Sequence, residues 1–248
     1  MSLKDKVVVI TGAATGIGRA TAVCCARAGA KVVIADINEG GMQETVALVT
    51  QADGEVMSVL ADVAREADVR RLMATAEETF DRIDVLINAA GVLQGPYVPV
   101  EEFEEATWDR VIDINLKGSF FAAKHAAAVM RRQGKGVILL IASGAGVAGG
   151  SSSVAYGSSK GGVHGLSLVL AGQLATHGIR VHAVCPGGIE TPMKLSVIAR
   201  EAELSGKSVD DALKTAHEHL GSPEGVGTVL AFLASDDADY VRGTVFTR

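Results

Sequence analysis

Short, uniformly apolar runs rich in β-branched residues recur along the chain, and each is followed by a stretch of helical periodicity. VVVIT at 7–11, KVVIAD at 31–36, the run 55–61, VLIN at 85–88, VILLI at 137–141, RVHAVC at 180–185 and a short last run at 244–246 read as strands. Segments 16–28, 39–51, 65–80, 108–130, 155–177 and 223–234 read as helices, the first stopped by Gly29 and the long central one broken off at Gly134. Strands apolar on both faces that alternate with helices predict a parallel sheet covered on both sides. Right-handed crossovers then give a doubly wound α/β architecture, three layers deep. No low-complexity linker or internal repeat divides the 248 residues, so one domain, 1–248, is expected. One segment breaks the rhythm. Residues 189–222 are mixed, charged and weakly helical, as expected of a substrate lid.

Charge and cysteine usage narrow the partners. A net charge of −6 offers no basic surface for nucleic acid. No run has the length and apolarity of a membrane span. The opening MSLKDKVVVITG reads as a short lead into a strand, without the apolar region and cleavage pattern of a secretory signal. Cys24, Cys25 and Cys185 are an odd number in a long chain, which fits free thiols in a reducing cytoplasm. Adjacent on a helix, Cys24 and Cys25 point apart. His217 and His219, two apart on a helix, do the same and have no Cys or carboxylate cluster beside them, so no metal site is expected.

Thr11-Gly12-Ala13-Ala14-Thr15-Gly16-Ile17-Gly18 closes the first strand and opens the first helix. That context makes a glycine loop informative, because it lets a pyrophosphate reach the amide donors of a helix N-terminus. Asp36 ends the second strand, 18 residues after Gly18. A carboxylate there can accept from both adenosine ribose hydroxyls and repels a 2′-phosphate. Ile37 follows it, and Ala13 and Thr15 bring no positive charge, so NAD is expected over NADP. The competing role for Asp36 is a cap for the helix near Glu39. Asp62, with Val63 beside it, either meets the adenine or caps the helix near Arg65. Asn88-Ala89-Ala90-Gly91 ends the fourth strand with residues small enough for a cofactor to lie against the backbone, or simply makes a strand-end turn.

Tyr156 and Lys160 are four apart on a predicted helix and share a face. An ammonium beside a phenol favours the phenolate, and such a Tyr can exchange a proton with an alcohol or carbonyl oxygen. Taken alone, the pair is more often a half-buried aromatic and a solvated amine. Ser143, directly after the fifth strand, lies at the sheet edge where ligands of such folds collect, and its hydroxyl could donate to a substrate oxygen. Asn115 is a side-chain amide inside a predicted helix, a placement that asks for a reason: it either faces water or supports a polar site.

With these residues in hand the chain resembles the short-chain dehydrogenase/reductase family, in its compact single-domain branch, over almost its whole length. The glycine loop matches Thr11 to Gly18, and the family's Asn-x-Ala-Gly matches Asn88, Ala90 and Gly91. Its Asn–Ser–Tyr–Lys tetrad falls on Asn115, Ser143, Tyr156 and Lys160, with the family's spacing of 13 from Ser to Tyr. Its Pro-Gly falls on Pro186 and Gly187, followed by Ile189 and Thr191. The resemblance implies a Rossmann sheet of seven parallel strands and a nicotinamide cofactor held by Gly12, Thr15, Gly16, Ile17, Gly18, Asp36, Asp62, Val63, Asn88, Ala90, Gly91, Pro186, Gly187, Ile189 and Thr191, together with Tyr156 and Lys160.

The resemblance also implies roles. Tyr156 is the acid/base, and Lys160 lowers its pKa and holds the nicotinamide ribose. Ser143 orients the substrate oxygen, with Gly188 lining the same pocket. Asn115 holds a water that relays protons from Lys160. Ile189 and Thr191 contact the nicotinamide carboxamide. The implied reaction interconverts a small-molecule secondary alcohol and a ketone, in a homotetramer or dimer built on the helices of Asn115 and Tyr156. A 3-oxoacyl-thioester reductase, with Arg131, Arg132 and Lys135 docking an acidic carrier protein, is the alternative, and a non-catalytic NAD-binding sensor is another. His182 stands where the family usually has Asn, and 243–248 stands where it usually continues into Asp-Gly-Gly. His182 is expected to be a structural change on a strand, and His164 a packed helix residue.

Overall fold

The computed structural model describes residues 1–248. Seven strands form a single parallel sheet in the order β3-β2-β1-β4-β5-β6-β7. They are β1 (Val7–Thr11), β2 (Lys31–Asp36), β3 (Glu55–Leu60), β4 (Val85–Asn88), β5 (Gly136–Ile141), β6 (Ile179–Cys185) and β7 (Gly243–Phe246). Every residue of β1, β4 and β5 is buried, as uniformly apolar strands in the middle of a covered sheet require. At the edge, β3 is only partly covered, and its sequence EVMSVL is correspondingly more polar.

Side chains alternate across the sheet, so each strand feeds two cores. Val7 and Val9 pack with Leu72 of α3 (Glu66–Phe80), Phe121 of α5 (Gly118–Gln133) and Val163 of α6 (Val154–Leu174). Val8 and Ile10 pack with Ala22 of α1 (Gly16–Arg27), Met42 of α2 (Glu39–Gln51) and Leu230 of α9 (Pro223–Ala234). From β1 the chain winds outward to β2 and β3, then returns to place β4 on the other side of β1. The reversal opens a crevice at the C-terminal ends of β1 and β4, which is where ligands bind in doubly wound sheets.

Two segments differ from the sequence expectation. The central helix begins as α4 (Glu105–Ile112) and passes through a π-helical turn, Asp113–Lys117, before continuing as α5. Helical periodicity does not register one wide turn, and π-turns concentrate at functional sites. The second difference is the 189–222 excursion, which is not weakly helical. It holds α7 (Pro192–Leu204) and α8 (Val209–His219). Thr191 and Ser208 cap them, accepting from the amides of Lys194 and Asp211, and Pro192 opens α7 at a position that needs no donor. The ends of the excursion are tied together, because Glu190 N donates to Gly221 O at 2.8 Å and Gly221 N to Gly188 O at 2.8 Å.

His182 is fully buried on β6 with Nδ1 3.3 Å from Gly243 O of β7, and burial pushes its imidazole below the usual value. His164 packs on the same strand, its Nε2 2.8 Å from the Thr244 hydroxyl. Cys24, Cys25 and Cys185 are all buried and free. No cluster of three or more His, Cys, Asp or Glu is placed to hold a metal, and no helix is long and apolar enough to cross a membrane.

Candidate active site

Two cavities meet above the C-terminal edge of the sheet. The first, of about 280 Å³, is lined by Gly12, Thr15, Gly16, Ile17, Gly18, Asp36, Asp62, Val63, Ala90, Gly91, Tyr156, Lys160 and Thr191 among others. The second, of about 780 Å³, is lined by Ser143, Tyr156, Pro186, Gly187, Gly188 and Ile189, by loop 150–152 and by α7. Ile17, Ile141, Tyr156, Thr191 and Met193 line both. Tyr156 is the one residue of the expected tetrad found on the wall of each.

The first cavity has the features a dinucleotide needs. Gly12 sits at φ +68°, and a Cβ there lies 2.5 Å from the Ala90 backbone, so only glycine lets the loop close over β4. At the N-terminus of α1, Thr15 makes no side-chain cap and the first turn carries no acid. Its amides are therefore free for an anion, and Gly16, Ile17 and Gly18 present them along the cavity wall. At the far end both oxygens of Asp36 accept backbone amides, Oδ2 from Ala14 at 3.0 Å and Oδ1 from Asn38 at 3.0 Å. The cap of α2 is Asn38, not Asp36. Asp62 accepts from Ala64 N at 2.9 Å, while the cap of α3 is Arg65. At the cavity wall Asp36 is thus tied to its own turn and to the glycine loop, and Asp62 to its own turn.

Three groups of residues are placed differently from the sequence expectation. Asn88 lines neither cavity. It is 2% exposed beneath Ala89 and Ala90, where its amide joins Thr11 Oγ1 (2.8 Å) to Ser119 Oγ (2.9 Å). Pro186, Gly187 and Ile189 line the second cavity rather than the first. Arg110, Ile114 and Val92 line the first cavity and escaped the sequence reading. Arg110 and Ile114 are four apart on α4 and its π-turn and share a face that the buried Asn115 does not present.

Asn115 is fully buried and lines neither cavity. The π-turn aims its side chain inward, where Oδ1 accepts Val92 N at 2.8 Å and Nδ2 donates to Val92 O and Ser159 Oγ, both at 2.9 Å. It is a positioning residue that fixes the backbone beside Gly91. Asn115→Ala leaves Val92 N, Val92 O and the buried Ser159 Oγ each short of a bond. A loss of about 2 kcal/mol or more is expected, read as a fall of roughly 4–8 °C in Tm. An unchanged Tm contradicts this role.

Tyr156 and Lys160 lie one turn apart on α6, with the Lys160 amine 5.7 Å from the Tyr156 ring centroid. Burial pushes the Tyr156 phenol above its usual value, and the Ser143 hydroxyl pulls it back. The Lys160 amine donates to Ile141 O at 2.7 Å, and burial pushes its pKa down to about 8. Burial, rather than Lys160, therefore sets the direction of the phenol's shift in this geometry. Lys160 titrates earlier in the folded chain than in the unfolded one, so the unfolded state binds more protons between about pH 8 and the usual lysine value. Stability consequently rises with pH across that window. Relative to Lys160→Met, the native chain is expected to gain up to about 3 kcal/mol between pH 7 and pH 10.5, checked by urea melts at each pH. A pH-independent difference contradicts a buried charged amine.

A family model described as short chain dehydrogenase matches residues 6–202. The chain belongs to the short-chain dehydrogenase/reductase family. Levodione reductase of Leifsonia aquatica is 38% identical over 97% of this chain and 91% of its own length. A crystal structure of levodione reductase superposes with a TM-score of 0.91, at 36% identity, over 98% of this chain and 96% of that one. The cis-4-hydroxycyclohexanecarboxylate dehydrogenase of Sinomonas cyclohexanicum is 39% identical over 97% of this chain and 94% of its own length. A 3-oxoacyl-[acyl-carrier-protein] reductase of Thermotoga maritima is 37% identical over 99% and 96%. A crystal structure of a single-residue variant of actinorhodin polyketide ketoreductase with NADPH has a TM-score of 0.92 at 30% identity, over 100% and 97%. The chain is an oxidoreductase of this family, with the seven-stranded parallel Rossmann sheet that its solved relatives share.

Proposed function

We propose that the chain interconverts a secondary alcohol and its ketone with NAD as hydride carrier and Tyr156 as the acid/base. The observation that carries this is the junction. A cavity built for a dinucleotide and a larger cavity of apolar and hydroxyl residues meet at one buried phenol.

The roles follow from the chain's own atoms. The α1 amides bind the pyrophosphate, and Gly12 and Ala90 keep the cradle shallow. When bound, NAD supplies the site that accepts or returns a hydride. Ser143 donates a hydrogen bond to the substrate oxygen and Tyr156 Oη exchanges the proton with it. Lys160 is held by Ile141 O on the wall of the first cavity beside Tyr156, where it would meet the nicotinamide ribose, whereas Asp36 would meet the adenosine ribose. Pro186, Gly187 and Ile189 shape the substrate side, and Thr191 and Met193 close over the junction from the lid.

NAD is favoured over NADP by charge. Asp36 stands at the ribose end with Ile37 beside it, and the only cations lining that cavity are Arg110 and Lys160. Arg19, directly after the glycine loop, is bound to Glu44 at 2.7 Å and to the carbonyls of Ala14 and Gly41. The second reading, reduction of a carrier-bound 3-oxoacyl thioester, draws on the Thermotoga relative. Two of the three cations it needs are already paired, Arg132 with Glu77 at 2.6 Å and Lys135 with Asp236 at 3.0 Å. A homo-oligomer through α5 and α6 fits the exposed Phe120, Leu168 and Val169 on those helices.

The test is stoichiometric. Incubation with a secondary alcohol and NAD is expected to yield one ketone per NADH, identified by chromatography. Tight NADH binding without ketone across a broad alcohol series points instead to a sensor.

A further inference from the structure

Four residues other than glycine hold a positive φ, and three of them are Asp, a residue that tolerates the left-handed region. The fourth is Tyr97, at φ +64°. An aromatic side chain there is strained by about 1 kcal/mol or more and persists only when its surroundings over-determine it. They do. Tyr97 N donates to Ser152 O at 2.7 Å. Next to this bond, the two loops are tied a second time, with Ser153 Oγ donating to Gln94 O at 2.7 Å. The Tyr97 phenol donates to Glu201 Oε2 at 2.8 Å, on helix α7 of the lid.

Tyr97 thus joins three elements that wall the second cavity: the loop after β4, loop 150–152 and the lid helix. The residue is not there to fill the core, since it is 41% exposed. It lines the cavity and also meets solvent, on a wall shared with Ser151 and Ser152 of one loop and Met193 and Val197 of the lid. The acid/base chemistry of Ser143, Tyr156 and Lys160 makes no use of it.

We infer that Tyr97 is a specificity-determining residue, strapped across the outer side of the substrate cavity, that limits the length of ketone or alcohol able to reach Tyr156. The inference rests on the alcohol–ketone reading above. Backbone strain locates the ring, the Ser152 bond fixes the loop, and the Glu201 bond fastens the lid to it. A substrate longer than the cavity must displace the ring and break the phenol–carboxylate bond.

The test uses a ketone that the wild type reduces and the same ketone lengthened by a phenyl group at the far end. Tyr97→Gly removes the ring and relieves the positive φ. Tyr97→Asn, whose side chain also tolerates that region, guards against a folding defect in the glycine variant. Both are expected to raise the ratio of kcat/KM, long over short, on the order of tenfold. Tyr97→Phe keeps the ring and loses only the Glu201 bond, so it is expected to move the ratio in the same direction by less. A ratio within twofold of wild type in both folded ring-deleted variants overturns the inference while leaving the alcohol–ketone reading intact. A wild type that reduces no ketone of a broad panel overturns both.

Discussion

Tyr156→Phe is expected to lower kcat by about three orders of magnitude while leaving the affinity for NADH nearly unchanged. General acid–base catalysis by a positioned side chain contributes about 10²–10⁴ in rate, which sets the scale. The substitution keeps the ring that separates the two cavities and deletes only the oxygen that exchanges the proton. Ser143, on the wall of the second cavity, is the hydroxyl beside the Tyr156 phenol, and it already accepts Ala145 N at 3.1 Å. It can hold a substrate oxygen but has no ammonium one helical turn away. The measurement pairs initial rates with NADH fluorescence titration. Loss of turnover with intact binding supports the role, whereas a near-normal rate rules out the phenol as acid/base. The pH profile carries the same information with a sign. Alcohol oxidation needs the phenolate and rises with pH through the phenol's raised value, and ketone reduction needs the phenol and falls.

Asp36→Ala is expected to reduce kcat/KM for NAD by about a hundredfold and to leave NADP unchanged or improved. Two charge-assisted hydrogen bonds to the ribose hydroxyls, at about 1.5 kcal/mol or more each, account for that factor. The carboxylate accepts one amide on each oxygen, from Ala14 and Asn38, and an ionised carboxylate retains further lone pairs for the ribose. The ketoreductase solved with NADPH has the same fold, so the fold by itself does not exclude the 2′-phosphate and the choice lies with the side chains around Asp36. Parallel titration of both coenzymes, wild type and variant, reads the effect. A wild type that already prefers NADP contradicts it.

The sheet was legible because its central strands are apolar throughout, and a covered parallel sheet is the arrangement that buries both faces of so many short runs. The placement of the glycine loop, Tyr156 and Lys160 on one cavity wall was legible because a strand-to-helix turn and an i,i+4 pair are both set by spacing. What escaped has a common physical cause: it depends on contacts between segments distant in sequence. Nothing in the sequence shows that Asn88 lies beneath the cavity floor, since that follows from Thr11 and Ser119 closing on it from two other elements. The π-turn at Asn115 is one extra residue in an otherwise regular helix. The lid helices carried legible signals that a composition reading passed over, in the Thr191-Pro192 start and the Ser208 cap three residues before Asp211. The expectation that Lys160 lowers the phenol's pKa rested on helical spacing and on the family resemblance. In the fold the amine turns to Ile141 O, burial pushes the phenol up, and the Ser143 hydroxyl is what pulls it back.

The most direct measurement is the initial rate of coenzyme reduction by the native chain with a series of cyclic and open secondary alcohols, run with NAD and NADP side by side. The expected result is steady formation of NADH with at least one alcohol, at a kcat/KM that exceeds the NADP value by about tenfold or more, because the 2′-phosphate removes one of the two hydroxyls that Asp36 would hold and brings a negative charge beside it. Coenzyme binding without reduction across the series, or a higher kcat/KM with NADP, contradicts NAD-linked alcohol–ketone chemistry at Tyr156.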